Sequence, residues 1–322
     1  MQPQCPHRAG GRRTKYFYSK IDGTVKVRGN TVLVHELLTI EGDIDYALGN
    51  VDVGKDVYIT GSVRSGFTIR AKGSIAIGGE VEPGGAINAQ GDVIVAGGIV
   101  GDHTSVVALG NLQAKFVHNS SVMARGDIVV GSYLLNAKIR AGGKLIVHSG
   151  DASRGGSIVG GDAFAAAGIR AARCGSVSTG HTVLGIGPAP DLAAKMRKLE
   201  SSIRFCQTNI LRAFRTLSLH EINAAQFKAM IARTAPSKRK QIMQVLRQLK
   251  GLTATKEKSV RLRRQLDDQA ARSIRQAEIR SLDTAFSDTE IHMGDEKLAL
   301  CEDVVGRTFF LTDSGIEQRP LS

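Results

Sequence analysis

The sequence predicts a mainly β fold. A single-stranded, right-handed parallel β-helix spans residues 21–190, an antiparallel α-helical coiled-coil hairpin spans 191–282, and a short β-rich tail spans 283–322 and packs back on the solenoid. A basic, glycine-rich segment, 1–20, precedes them as a loose tail. Three observations carry this reading: a glycine-centred phrase that recurs every 16–19 residues, a proline-marked break, and a heptad pattern after it.

The phrase is small–x–Gly–polar–aliphatic–x–aliphatic. It reads Ala71-Lys72-Gly73-Ser74-Ile75-Ala76-Ile77, then Ala89-Gln90-Gly91-Asp92-Val93-Ile94-Val95, then Ala108-Leu109-Gly110-Asn111-Leu112-Gln113-Ala114. It continues as Ala124-Arg125-Gly126-Asp127-Ile128-Val129-Val130 and Ala141-Gly142-Gly143-Lys144-Leu145-Ile146-Val147. A degenerate first copy is Val53-Gly54-Lys55-Asp56-Val57-Tyr58-Ile59, and Val159-Gly160-Gly161-Asp162-Ala163 reads as the last. A repeat this short, rich in β-branched residues and without helical periodicity, is one coil of a parallel β-helix. Aliphatics at i and i+2 share one side of a strand, so the pairs stack into a buried ladder. The glycine is expected to supply a tight corner of positive φ, and to leave room for the neighbouring coil. The residue between each inward pair (Tyr58, Ala76, Ile94, Gln113, Val129, Ile146) faces outward, in a mostly apolar stripe that the C-terminal strands or the hairpin base are expected to cover.

Before the regular coils, Ile21-Asp22-Gly23-Thr24 reads as a turn between two strands. After them, Gly185-Ile186-Gly187-Pro188-Ala189-Pro190 is expected to end the solenoid, since prolines cannot continue a ladder. Asp191 is the expected N-cap of the next element. Leu192, Met196, Leu199, Ile203, Cys206, Ile210, Ala213 and Leu217 then form a heptad seam. Pro236-Ser237 opens a second helix, to about Leu282, with Ile242, Leu246, Leu249, Leu262, Leu266 and Ile274 as its apolar face. The tail is β-like again at Ile291-His292-Met293, Leu298-Ala299-Leu300 and Thr308-Phe309-Phe310-Leu311.

The net charge of +13 is unevenly placed: residues 21–190 carry 14 basic and 14 acidic side chains, whereas 191–282 carry 21 against 7. Attraction to an anionic partner is therefore expected on the helices, with Lys238, Arg239, Lys240, Arg261, Arg263 and Arg264 as the candidate interaction surface. A solvated helical face is the ordinary meaning of such charges; contact with nucleic acid or an anionic membrane is the sharper one. No apolar run is long enough to span a bilayer, and the N-terminal segment lacks an apolar signal core. Cys5, Cys174, Cys206 and Cys301 are scattered and form no pair motif, which points to a reducing compartment without a disulfide framework.

No catalytic, cofactor or metal constellation is read. Asp56, Asp92, Asp127 and Asp162 share one corner position, but they alternate with Ser74, Asn111 and Lys144. Two coils therefore separate the carboxylates, roughly 10 Å, too far for one calcium ion, and each is read as capping its own turn. His103, His118 and His148 are read as surface-loop residues, since the spacing does not keep the six-residue period of hexapeptide acyltransferases. Phosphate-loop, dinucleotide-turn and zincin patterns are absent, and Cys5-Pro6-His7 lacks the second half of a zinc site. A polysaccharide- or acyl-processing β-helix enzyme stays open as an alternative.

The run Gly42-Asp43-Ile44-Asp45, Gly49-Asn50-Val51-Asp52-Val53-Gly54-Lys55-Asp56-Val57-Tyr58-Ile59-Thr60-Gly61-Ser62-Val63 resembles the start of the flagellar assembly protein A (FapA) β-solenoid domain. So do Ala71-Lys72-Gly73-Ser74-Ile75, Gly98-Ile99 and Ser157-Ile158-Val159-Gly160-Gly161, and so does the order of solenoid, basic helices and β tail. The resemblance implies a bacterial cytoplasmic protein, tied in some members to flagellar assembly and protein partners at the pole, without catalytic residues to transfer. Fuller members carry a large domain before the solenoid that this sequence does not show. The expected role is a non-catalytic scaffold with protein partners, a homo-oligomer among them, no cofactor and no small-molecule substrate.

Overall fold

The computed structural model describes residues 23–29, 31–148, 155–177, 180–217 and 236–321. The N-terminal tail and the start of the proposed turn at Ile21 and Asp22 lie outside them. A hairpin opens the described chain: β1 (Gly23–Arg28) runs antiparallel to β2 (Thr31–Ile40).

From β2 onward the chain coils, and each coil contributes to three parallel walls. On the first wall, β2 pairs with β4 (Asp56–Ile59), β4 with β6 (Ile75–Ile77), and β6 with β8 (Val93–Val100). The row continues through β10 (Leu112–His118), β12 (Ile128–Val130) and β14 (Lys144–Val147). Its register aligns Val57, Ile75, Val93, Leu112, Ile128 and Leu145, all at most 1% exposed. This is the ladder expected from the phrase.

The second wall repeats the glycine mark in its early coils, with Gly61 under Asp43 Oδ1 and Gly79 under Ser62 Oγ. The second stacks Ile44, Val63, Val81, Ile99, Val117, Leu134, Ile158 and Cys174. On the third, β3 (Val51–Val53), β5 (Thr68–Ala71), β7 (Ala86–Ala89), β9 (Ser105–Ala108) and β11 (Ser121–Ala124) align in turn, followed by β13 (Tyr133–Ala141), β15 (Ser157–Ala165) and β18 (Thr182–Ile186). The small first residue of the phrase ends this wall. Ala71, Ala89, Ala108, Ala124 and Ala141 lie buried just before the corner.

The corners differ from expectation in one respect. None of Gly73, Gly91, Gly110, Gly126 and Gly143 has a positive φ. What each needs is space. A Cβ at Gly73 would fall on Asp56 Oδ1, at Gly91 on Ser74 Oγ, at Gly110 on Asp92 Oδ1, at Gly126 on Asn111 Oδ1 and at Gly143 on Asp127 Oδ1. Those side chains lie over the glycines because each accepts a backbone N–H from the next coil. Asp56 Oδ1 accepts from Ser74 at 2.7 Å, Ser74 Oγ from Asp92 at 3.1 Å, and Asp92 Oδ1 from Asn111 at 2.8 Å. Asn111 Oδ1 then accepts from Asp127 at 2.9 Å and Asp127 Oδ1 from Lys144 at 2.7 Å. The polar residue of the phrase therefore caps the coil after it, not its own turn.

The end of the solenoid requires four corrections. Gly161-Asp162-Ala163 pairs with Ala137-Lys138-Ile139 on the third wall, so it is not a corner copy, and Asp162 leaves the corner series. The residue that follows Leu145 on the first wall is Ile169 of β16 (Gly168–Ala171). The prolines do not end the solenoid; they interrupt it. The tail resumes the coil in register: β19 (Ile279–Ala285) pairs parallel with β16, and β20 (Thr289–Met293) pairs parallel with β18. Its strands thus extend the solenoid axially, and do not lie across the outward stripe, where Tyr58 and Ile94 remain 40% and 48% exposed. β21 (Glu296–Ala299), β22 (Val304–Thr312) and β23 (Gly315–Pro320) then run antiparallel and close the terminal edge, with Phe309 buried against Ile279.

The helices fill the interruption. α1 (Pro190–Leu217) begins at the proline, so Asp191 sits inside its first turn and not at the N-cap. α2 (Pro236–Gln276) ends short of the expected Leu282, because Ile279 is already a rung of the next coil. Along α1, Cys206 is buried, and Leu192, Met196, Leu199, Ile203 and Ile210 are half-buried; Leu217 closes the helix. On α2, Leu249, Ser259, Ala270 and Ile274 are buried, but Leu262 is 41% exposed. The inward position one residue later belongs to Arg263, which reaches Glu200 of α1 at 3.6 Å.

Candidate interaction surface and groove

The basic residues singled out from the sequence do not form one patch. Lys238 and Arg239 stand in the first turn of α2, with side chains outside the described set, and Lys240 is exposed beside them. Arg261, Arg263 and Arg264 follow some six turns later, roughly 30 Å along the axis. Arg261 and Arg264 are exposed, whereas Arg263 is turned inward and paired with Asp267 at 3.0 Å as well as with Glu200. The structure therefore offers two separate cationic surfaces on one helix, and Arg263 serves the contact between helices. His103 lies exposed in a turn at φ 63°, and among the described residues no group of three or more His, Cys, Asp or Glu side chains is placed to hold a metal ion.

A feature that sequence reading missed lies where the helices leave the solenoid. A groove of about 1030 Å³ runs between the outer face of the third wall and the facing sides of α1 and α2. Val107, Met123 and Arg140 line it from the wall, and Ala194, Ala270 and Ile274 from the helices. The wall residues come together because outward positions of successive coils stack: Val107 aligns with Met123, Met123 with Arg140, and Arg140 with Phe164.

At the deep end, the Arg140 guanidinium lies 4.3 Å from the Phe164 ring centre and donates to the Ile139 carbonyl at 2.9 Å. Phe164 in turn covers Gly185, where any Cβ would strike the ring, and meets the His292 ring edge-on at 6.0 Å. Burial lowers the Arg140 pKa, while the neighbouring Asp162 charge works the other way. Beyond Phe164, the Glu290 carboxylate sits between His181 at 2.9 Å and His292 at 2.8 Å. Those two contacts, His181 first, hold Glu290 below the ordinary carboxylate range. The signal for this row was in the alternation of Lys138-Ile139-Arg140-Ala141 and Asp162-Ala163-Phe164-Ala165, but only the coil register brings the two segments together.

Several other groove charges are already paired. Arg125 holds Asp191 at 2.7 Å, which ties the start of α1 to the third wall, and Arg275 holds Asp313 at 2.8 Å. No helix among the described residues is long and apolar enough to cross a membrane.

Comparison with known families agrees with this architecture. The model of the Flagellar Assembly Protein A beta solenoid domain matches residues 36–316, which takes in the coils, both helices and most of the closing strands. Comparison with curated proteins and with solved structures gives no match. On the extent of the family match and the stacked coils beneath it, the chain belongs to the flagellar assembly protein A (FapA) family.

Proposed function

We propose that the chain is a non-catalytic scaffold of the bacterial cytoplasm that works through protein–protein contacts in flagellar assembly or polar localisation. The observation that carries this is the placement of the helices. They are inserted between two coils that are directly hydrogen-bonded to one another, Ile169 aligning with Ile279 and Ile186 with Met293. A chain that breaks a continuous ladder to project about 40 Å of cationic helix, the length of α1, presents that helix to something. On this reading, Lys238, Arg239, Lys240, Arg261 and Arg264 face an acidic protein surface, and the seam from Leu192 to Leu217 holds α1 on α2 as a coiled coil. The bare outward stripe with Tyr58 and Ile94 is a second contact face.

The test follows from the topology. Replacing residues 188–273 with a short Gly-Ser linker keeps both flanking rungs and the buried Ile274, so the solenoid is expected to stay folded, as judged by its β-type circular dichroism and cooperative melt. In the bacterium that makes the protein, this variant is expected to accumulate normally yet fail to support flagellation. Normal flagella with the helices removed would overturn the proposal.

A further inference from the structure

We propose that the groove between the third wall and the helices is a binding site for a small amphiphilic monoanion of the long-chain carboxylate class. The carboxylate sits on Arg140, and the apolar chain runs along Val107, Met123, Ala194, Ala270 and Ile274. The inference is independent of the scaffold reading.

The charge pattern sets the head group. Arg125, Arg263 and Arg275 around the groove are matched by Asp191, Asp267 and Asp313, and Arg197, the remaining arginine of the lining, is exposed. Arg140 makes no direct ion pair among the described residues, the Asp162 charge acting on it from farther off; its contacts are the Phe164 face, the Ile139 carbonyl and, at 3.5 Å, the Asp162 carbonyl. A guanidinium carries five N–H donors, so several remain for a bidentate carboxylate. Stacking on Phe164 fixes its plane in advance, which spares the ligand the cost of ordering it. The lining acids without ion pairs among the described residues, Asp295 and Glu296, lie in the turn after β20 and at the start of β21. Arg140 lies three coils away through Phe164, Gly185 and His292, about 14 Å at the ladder spacing, so they disfavour an anion at their end and not at the arginine.

The walls set the body. They are mainly aliphatic and enclose a volume in the range of small-molecule sites. A peptide fits less well. An extended segment draws its affinity from main-chain hydrogen bonds, and the strands of this wall are already paired on both sides. An alkyl chain has no backbone to satisfy.

The experiment is isothermal titration calorimetry on the full chain with dodecanoate, kept below its micelle concentration, with dodecanol as the neutral probe. One saturable dodecanoate site is expected, with dodecanol at least about tenfold weaker. Arg140→Gln is expected to weaken dodecanoate by a similar factor, while Arg170→Gln, an exposed arginine of the first wall, leaves it unchanged. Met123 is 40% exposed, so Met123→Asp is expected to fold, and should block the site even if Arg140→Gln does not fold. Absence of saturable binding, equal affinity for dodecanol, or full affinity in a folded Arg140→Gln or Met123→Asp chain would each overturn the proposal.

Discussion

Gly73→Ala separates two accounts of the corner glycines, because they differ in sign. Gly73 does not have a positive φ, so backbone entropy alone says that alanine stabilises, by about 0.4–1 kcal/mol. The packing says otherwise. The new Cβ would fall on Asp56 Oδ1, 2.6 Å from the Asp56 nitrogen and 2.8 Å from the Lys55 carbonyl carbon. The backbone atoms cannot retreat, because the two coils are bonded to each other on both sides of the corner. Asp56 is 4% exposed, and its Oδ2 has no hydrogen-bond partner among the described residues, so the carboxylate depends on the bond from Ser74 N–H at 2.7 Å. Losing that charge-assisted bond costs about 1.5–3 kcal/mol, and overpacking adds about 1–3 kcal/mol. Less the entropic gain, the expected net destabilisation is about 2–5 kcal/mol. Gly54→Ala is the control, since a Cβ there meets nothing within 4 Å, and it is expected to be neutral or stabilising. Urea unfolding followed by circular dichroism compares the two. A Gly73→Ala chain as stable as Gly54→Ala would refute the packing account.

Three further outcomes are expected. Cys174 is fully buried and its thiol pKa is pushed up to about 12, so iodoacetamide at pH 8 should leave it unmodified in the folded chain while the exposed Cys301 reacts; mass spectrometry of the alkylated peptides decides. Glu290 is held below its ordinary 4.5 by His181 and His292, so the stability it contributes is complete above about pH 4.5 and is lost as pH falls through its folded value. Glu290→Gln should flatten that acid limb in melting temperature against pH, and an unchanged limb would contradict it. Arg263→Ala should lower the melting temperature, by about 0.5–1 kcal/mol in stability, whereas Arg264→Ala, at an exposed residue that takes part in neither ion pair, should stay within about 0.5 kcal/mol.

The first wall was legible because its mark is chemical. A glycine must lie under the polar cap of the preceding coil, and that pair advertises the aliphatic rung after it. The second wall carries that mark in its early coils, at Gly61-Ser62-Val63 and Gly79-Glu80-Val81, but not before Val117 or Leu134, where Lys115-Phe116 and Ser132-Tyr133 stand instead. Ile44, Val63, Val81 and Ile99 also touch only through single-residue bridges, too short to read as strands. Gly161 keeps the 18-residue spacing yet falls on the third wall, because the coil after Val147 is longer than its neighbours. The return of the solenoid at Ile279 was hidden for a different reason. Its partner Ile169 lies across two helices in sequence, and periodicity cannot count through an insertion. Leu262, expected on the apolar face of α2, points outward because the ion pair to Glu200 puts Arg263 at the inward position.

The insertion also constrains how the helices can move. A hairpin appended to the end of a solenoid would hang from one linker and swing about it. Here α1 leaves from Ile186 and α2 returns to Ile279, two positions fixed in neighbouring coils, and Arg125 pins Asp191 of the first turn to the third wall. Ile274 and Ala277 are buried in the same apolar cluster as the coils, so the last turn of α2 and the residue after it are part of the solenoid core. A load on either helix is therefore shared by two rungs of a hydrogen-bonded ladder. The groove lies at this junction, with one side on each body, and a ligand wedged against Arg140 and Ile274 would resist any change in their separation. Hydrogen exchange at the amides of residues 188–194 and 270–278, with and without dodecanoate, reads that directly. Protection confined to the solenoid strands would place the ligand elsewhere, while protection of both helix roots together is what a ligand bridging the two bodies requires.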